Sequence, residues 1–297
     1  MVLCVGKAVS FTFYRQLRTL DRQCLCGTGK IDATFKIVQM LRMSSDSTST
    51  VDEKEVALHS KLRDEWWNDR GKMKALHAYN TIRVPFIRDG LVNSGAITAA
   101  TAKTKDALKD LKILDVGCGG GLLTEPLSML KANVTGLEPS TELIEVAKNH
   151  ASLNPVTKNI RYIASTIEDH IKDHSNHYDA IVASEVVEHV VNPELFIKSC
   201  VTALKPGGSI FLTTPNKTYM AWLFGIVVAE NVLNIVPKGT HSYDKFIPPH
   251  QLQQILEKNN CQTVQVSGSF YNVLSNQWSW IPYKGFCYAL HAVKSVS

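Results

Sequence analysis

The run from Ser184 to Val190, S-E-V-V-E-H-V, gathers two carboxylates and an imidazole. On a helix Glu185, Glu188 and His189 would share one face, because positions i, i+3 and i+4 are neighbours there. Such a set can hold Mg²⁺, Mn²⁺ or Zn²⁺, or it can orient a substrate and move a proton with no metal. The spacing leaves both open. A second acidic pair brackets a glycine cluster: Asp115 precedes G-C-G-G-G at 117–121, and Glu138 ends the next apolar run. That run lies roughly 20 residues on, the distance at which a carboxylate can accept from two ribose hydroxyls. The glycines permit a tight turn whose backbone approaches a ligand closely. No Gly-Lys-Ser/Thr follows them, which removes a nucleoside-triphosphate loop. Arg83, in N-T-I-R-V-P, follows a polar turn and precedes apolar residues, so its guanidinium can face a ligand carboxylate; from spacing alone a surface salt bridge accounts for it better.

The elements that position these groups alternate. Ile113, Leu114 and Val116 form a short apolar run with a β-branched bias, suited to a strand buried on both faces. Strands are predicted over 112–116, 132–137, 160–164, 178–183 and 209–213, with helices over 122–130, 141–150 and 193–203. This is a doubly wound, mostly parallel α/β sheet. Ser184–Val190 then falls at the carboxyl end of the fourth strand, where ligands sit in such sheets. Ahead of the sheet, 55–68 reads as a capping helix whose Val56, Leu58, Leu62, Trp66 and Trp67 are apolar among charges, with the tryptophans as packing residues.

Four blocks in order, D-V-G-C-G-G-G, G-L-E-P, Y-D-A-I-V-A-S-E-V-V-E-H-V and L-K-P-G-G-S-I-F-L-T-T-P-N, resemble the successive motifs of class I methyltransferases. The resemblance implies a seven-stranded sheet with an N-terminal helical cap, and S-adenosylmethionine as methyl donor; it also places adenine contacts at Thr166–Asp169, which a solvated loop explains almost as well. The W-W pair, N-T-I-R, V-P-K-G-T-H at 236–241 and the K-F-I-P-P after it are similar to ubiquinone-biosynthesis O-methyltransferases of the mitochondrial form, over about 56–294. Membership of that family implies that Arg83, Gly117, Glu138 and Ser184 contact S-adenosylmethionine. It implies that Glu185, Glu188 and His189 bind Mg²⁺, with Glu185 and His189 at the reacting oxygens. It further implies a polyprenylated catechol as substrate and a place in a multi-protein biosynthetic complex. Glu138 departs from the Asp usual there. Two rivals stand beside this reading: a methyltransferase for another small acceptor, and a non-catalytic cofactor-binding scaffold subunit.

Of the 297 residues, 44% are hydrophobic, enough for a full core. Residues 1–43 carry Lys7, Arg15, Arg18, Arg22, Lys30, Lys36 and Arg42 against Asp21 and Asp32, an excess equal to the whole chain's +5. The remainder is formally neutral, which argues against nucleic-acid binding by the folded part. Phe13, Leu17 and Leu20 oppose Arg15, Arg18 and Arg22 on a helix, the acid-poor amphipathic pattern of a mitochondrial transit peptide. Residues 1–48 are therefore expected to be transit peptide and linker, and 49–297 the methyltransferase domain. Seven cysteines without paired spacing suit a reducing compartment. The apolar 219–236 is interrupted by Glu230, Asn231 and Asn234, far short of the roughly 20 residues that span a bilayer. A buried core helix is the ordinary reading of such a segment; its place outside the sheet alternation, with Trp222 and Phe224, suits an interfacial contact instead, which predicts peripheral binding at the matrix side of the inner membrane.

Overall fold

The computed structural model describes residues 49–218 and 245–296. The expected transit peptide and linker, the apolar segment 219–236 and the V-P-K-G-T-H block lie outside the described residues.

The chain order is α1 (Glu53–Ser60), α2 (Lys74–Asn93), β1 (Lys112–Val116), α3 (Thr124–Met129), β2 (Asn133–Glu138), α4 (Thr141–Ala151), β3 (Arg161–Ala164), α5 (Ile167–His170), β4 (Tyr178–Ser184), α6 (Pro193–Ala203), β5 (Leu204–Pro215), α7 (Pro249–Lys258), β6 (Cys261–Asn272), β7 (Gln277–Ile281) and β8 (Cys287–Lys294). The strands form one sheet in the order β3-β2-β1-β4-β5-β8-β6-β7. β3, β2, β1, β4 and β5 run parallel, and β8, β6 and β7 join antiparallel.

Both faces of the sheet are covered, which is why β1 carries apolar residues in succession. Ile113 packs with Phe86, Leu91 and Leu127 of α2 and α3, while its neighbour Leu114 belongs to the opposite cluster with Ile197 and Leu252 of α6 and α7. Each such fully buried side chain contributes about 1.5–3 kcal/mol over an exposed one.

Four expectations need correction. The sheet has eight strands in place of seven. The added β7 is held by aromatic packing on α2: Trp278 stacks on Tyr79 at 4.0 Å and donates its Nε1–H to Ala75 O at 2.8 Å, and Trp280 tilts against Phe86 at 5.3 Å. The predicted helix 55–68 breaks after Ser60, followed by a short 3₁₀ turn at Arg63–Glu65. Arg83 lies inside the 20-residue α2, on the stripe Tyr79, Arg83, Phe86, Ile87, Gly90, Leu91 that the helix buries. Its polar neighbours are helix residues, with no turn before it. Finally, Thr166 caps α5, which buries Glu168, so this carboxylate is no solvated loop group.

Candidate active site

The carboxyl ends of β1, β2 and β4 open into a cavity of about 650 Å³, closed on its other sides by α1, the 62–76 segment and the β6–β7 hairpin. Its wall is mostly apolar, with Leu62, Leu76, Val186, Phe270 and Phe286 facing Asp115, Glu138, Glu185 and His189.

The glycine turn follows β1 because Gly117, Gly119 and Gly121 all take positive φ, at 71°, 53° and 93°. Gly117 N–H and Cys118 N–H both donate to Leu137 O, at 2.7 and 3.0 Å, which ties the turn to β2. The close approaches the glycines allow are partly to the protein itself. A Cβ on Gly119 or Gly120 would strike the Trp66 indole, and one on Gly117 would strike Val186 at 2.5 Å. Trp66 and Trp67 are packing residues: Trp67 donates to Gly120 O at 2.9 Å and stacks flat on His150, centroids 3.3 Å apart. Trp66 also lines this cavity, and its Nε1 is buried with no hydrogen-bond partner among the described residues.

Glu138 ends β2 with one carboxylate oxygen accepting from Gly119 N–H at 3.2 Å and the other from Ser140 N–H at 3.1 Å. Burial raises its pKa, against those two bonds. Each oxygen keeps a second lone pair with which to accept from a ribose hydroxyl. Asp115 is buried behind the turn, accepting from Thr124 Oγ1 at 2.7 Å. Burial pushes its pKa up to about 6, against the Thr124 bond and the charge of Arg83.

Arg83 is also buried, and burial lowers its pKa. Its hydrogen bonds go to Asn80 Oδ1 at 2.6 Å, Ser184 Oγ at 3.0 Å and Leu76 O at 3.3 Å. Two expected cofactor contacts, Arg83 and Ser184, thus touch each other; the surface salt bridge is excluded. Asn80, three residues before Arg83 on α2, is a site residue that the sequence reading missed, although N-T-I-R holds it at helical spacing.

The segment 185–190 is built of turns, which corrects the helical face expected for Glu185, Glu188 and His189. Glu185 takes φ 59°, a left-handed conformation that costs a non-glycine residue roughly 1–2 kcal/mol and is typical of residues held for function. It accepts from Thr213 Oγ1 at 2.8 Å. Glu188 turns inward and accepts from Thr214 Oγ1 at 2.9 Å with one oxygen, while its Oε1 has no hydrogen-bond partner among the described residues. Burial and then the nearby Glu185 raise its pKa well above the carboxylate range. His189 Nε2 stands 3.9 Å from that Oε1, and His189 Nδ1 meets Glu55 Oε2 at 3.2 Å. Thr213 and Thr214, from T-T-P-N, are the partners that sequence spacing did not assign. Among the described residues no three His, Cys, Asp or Glu side chains form a ready metal cage. The buried Glu188 Oε1, without a hydrogen-bond partner among the described residues, and the Glu185 carboxylate are oxygen donors of the kind a hard cation takes; the imidazole is a nitrogen donor.

A buried acid pair at a glycine turn between β1 and β2, on this sheet, defines a class I, S-adenosylmethionine-dependent methyltransferase. The methyltransferase domain family matches residues 92–266. Among solved structures the magnesium protoporphyrin IX methyltransferase of Synechocystis PCC 6803 with bound SAH shares the fold, with TM-score 0.50 and 18% identity over 72% of this chain and 82% of that one. The mitochondrial ubiquinone biosynthesis O-methyltransferase of Mus musculus is 47% identical over 255 residues, 86% of this chain and 68% of that protein. The ubiquinone biosynthesis O-methyltransferase of Rhizobium leguminosarum bv. trifolii is 38% identical over 237 residues, 80% of this chain and 92% of that protein. The chain belongs to the ubiquinone biosynthesis O-methyltransferase family and is an S-adenosylmethionine-dependent O-methyltransferase.

Asp115 carries a pH prediction. The methyl donor has a sulfonium and an ammonium group, so an ionised carboxylate beside it favours binding. The folded pKa of Asp115 is raised from 3.8 to about 6. The folded state therefore holds this proton across that window, and the carboxylate's ionisation costs the unliganded protein stability as pH rises through it. Donor binding should show the complementary trend, its affinity falling about tenfold per pH unit once the pH is below the folded pKa. Calorimetry one unit above and one unit below that point measures it; equal affinities would remove Asp115 from the donor's electrostatics. Asp115→Asn should flatten the profile.

Proposed function

We propose that this enzyme transfers the methyl group of S-adenosylmethionine to a phenolic oxygen of polyprenylated catechol, dihydroxybenzoate and demethylubiquinol intermediates in ubiquinone synthesis, with Mg²⁺ held by Glu185, Glu188 and His189. The observation that carries it is a cavity in which a donor-side acid pair and a carboxylate–imidazole group share a mostly apolar wall. The names of the relatives support the acceptor class.

In this reading Glu138 accepts from the ribose hydroxyls, Gly117 gives the donor backbone access, and Arg83 with Ser184 faces its carboxylate end. Bound Mg²⁺ supplies a lowered pKa for the phenolic oxygens and a fixed orientation. Glu185 and Glu188 provide the anionic oxygens for that ion. His189 offers a ring nitrogen on the same side, as ligand or as acceptor of the phenolic proton. The apolar wall excludes water and suits a prenylated ring. Isotope-labelled methyl transfer to a polyprenyl catechol, with and without chelation, tests the whole assignment. No transfer by folded, donor-bound protein would favour a scaffold role, and full activity after stripping would leave His189 as base.

We further place the enzyme in the mitochondrion, peripheral to the matrix side of the inner membrane and in a biosynthetic complex. The basic leader and the mitochondrial relatives support the compartment. No described helix is long and apolar enough to cross a membrane. A prenyl tail leaving the bilayer would expose methylenes at about 0.8 kcal/mol each, so an enzyme working at the interface avoids that cost. Replacing Trp222, Leu223 and Phe224 by Ser should lower liposome flotation, and should reduce activity on long-tailed acceptors more than on tail-less ones. Equal loss on both acceptors, or unchanged flotation, would return 219–236 to the core.

A further inference from the structure

Helix α1 buries none of its own residues, yet Asp52, Glu55, Val56 and His59 contribute to the cavity wall. Its fastening is polar. Thr50 Oγ1 donates to Glu168 Oε1 at 2.7 Å, and Lys245 Nζ bridges Asp52 Oδ2 and Glu55 Oε1, each at 2.9 Å. With one oxygen engaged by Lys245, the other oxygen of Glu55 meets His189 Nδ1 at 3.2 Å. The side chains of Glu55 and His189 are 16% and 15% exposed, so the contact is largely withdrawn from water and is stronger than a surface ion pair.

We propose that Glu55 is a positioning residue for His189: its carboxylate accepts the Nδ1–H, which fixes the ring's orientation and leaves the lone pair on Nε2, the nitrogen nearer Glu188. The inference rests on the assignment of His189 to the reaction centre. An imidazole that works through one nitrogen, whether toward a cation or a phenolic proton, has its tautomer set by the hydrogen bond at the other. Here that bond comes from the capping helix. Lys245, in the K-F-I-P-P run, is the clamp that keeps the carboxylate from turning toward solvent. Seating of α1 thus brings the Glu55 carboxylate to His189 Nδ1.

The test replaces Glu55 by Leu and by Gln in the full chain and follows three readouts. In ¹⁵N-histidine-labelled protein, His189 should carry its proton on Nδ1 in the wild type and redistribute it toward Nε2 in Glu55→Leu. Turnover should fall about 10–100-fold, the usual range for losing such an outer partner, with S-adenosylmethionine affinity unchanged and Glu55→Gln in between. Thr50→Val removes only the bond to Glu168 and leaves the Lys245–Glu55–His189 contacts in place, so kcat should stay near the wild type. In a double-mutant cycle the effect of Glu55→Leu should vanish in a His189→Ala background. An unmoved His189 tautomer, a kcat loss of the same size without His189, or an equal loss in Thr50→Val would overturn the positioning role. A fully active His189→Ala protein would overturn the reaction-centre assignment itself, and this role with it.

Discussion

Glu188→Gln is expected to fold, to bind S-adenosylmethionine as the wild type does, and to lose about a thousandfold in turnover. The reasoning starts from burial. Glu188 is 2% exposed, and the loss of hydration already favours its neutral form, with Glu185 adding to the effect. A neutral amide of the same shape fits that surrounding and can still accept from Thr214. Metal-free stability should therefore hold, because the amide replaces a carboxyl that burial already keeps neutral. Turnover should fall. An ion that polarises a phenolic oxygen supplies several kcal/mol, and forfeiting about 4 kcal/mol of it is roughly a thousandfold. Mg²⁺ should also raise the melting temperature of the wild type and leave that of the variant unmoved, since only a protein that binds it gains from mass action. Activity within a few fold of wild type, or an equal melting shift in both proteins, would remove Glu188 from the metal assignment.

The second large effect belongs to Glu138. Glu138→Ala removes both acceptors offered to the ribose and the bonds that hold Gly119 N–H and Ser140 N–H. A hydrogen bond to a charged group contributes about 1.5–3 kcal/mol, so the loss in donor affinity should be about a hundredfold or more. The two stranded amides also cost the fold about 1–3 kcal/mol each at most, read as a lower melting temperature. Glu138→Asp, one methylene shorter but still anionic, should recover most of the affinity. Calorimetry measures both variants, and an unchanged dissociation constant in Glu138→Ala would mean that the ribose lies elsewhere.

Much of this architecture can be read along the chain, and its failures share a cause. The parallel core is legible because its strands carry short apolar runs such as Ile113–Leu114 and Ile181–Val182, and the glycine turn because G-C-G-G-G admits positive φ where β1 must stop. What the glycines face is not legible: Trp66 and Tyr162 arrive from elements far away in sequence. Arg83 was obscured by composition, because a buried stripe containing an arginine looks polar when only its neighbours are read. The S-E-V-V-E-H-V run suits a helix by period, and nothing in it announces a glutamate at φ 59°. β7 depends on Tyr79 and Phe86 of α2, so Q-W-S-W-I alone gives no account of why it pairs. Glu55 and His189 meet through tertiary docking, which local spacing does not encode.

The place of β8 in the sheet has a consequence for how the molecule comes together. It is the latest described strand in sequence, yet it lies between β5 and β6 and pairs with both. Until it arrives, the parallel half ends in an open edge at β5 and β6 lacks a strand to pair with on the side away from β7. A chain emerging in order must carry two unpaired edges until Cys287–Lys294 is available, and such edges invite association with other chains. Assembly of the two halves is thus gated by a strand of high contact order, the slow kind of closure. Chaperone demand should accordingly concentrate late in synthesis, and truncation before Cys287 should yield aggregates in place of a smaller folded domain.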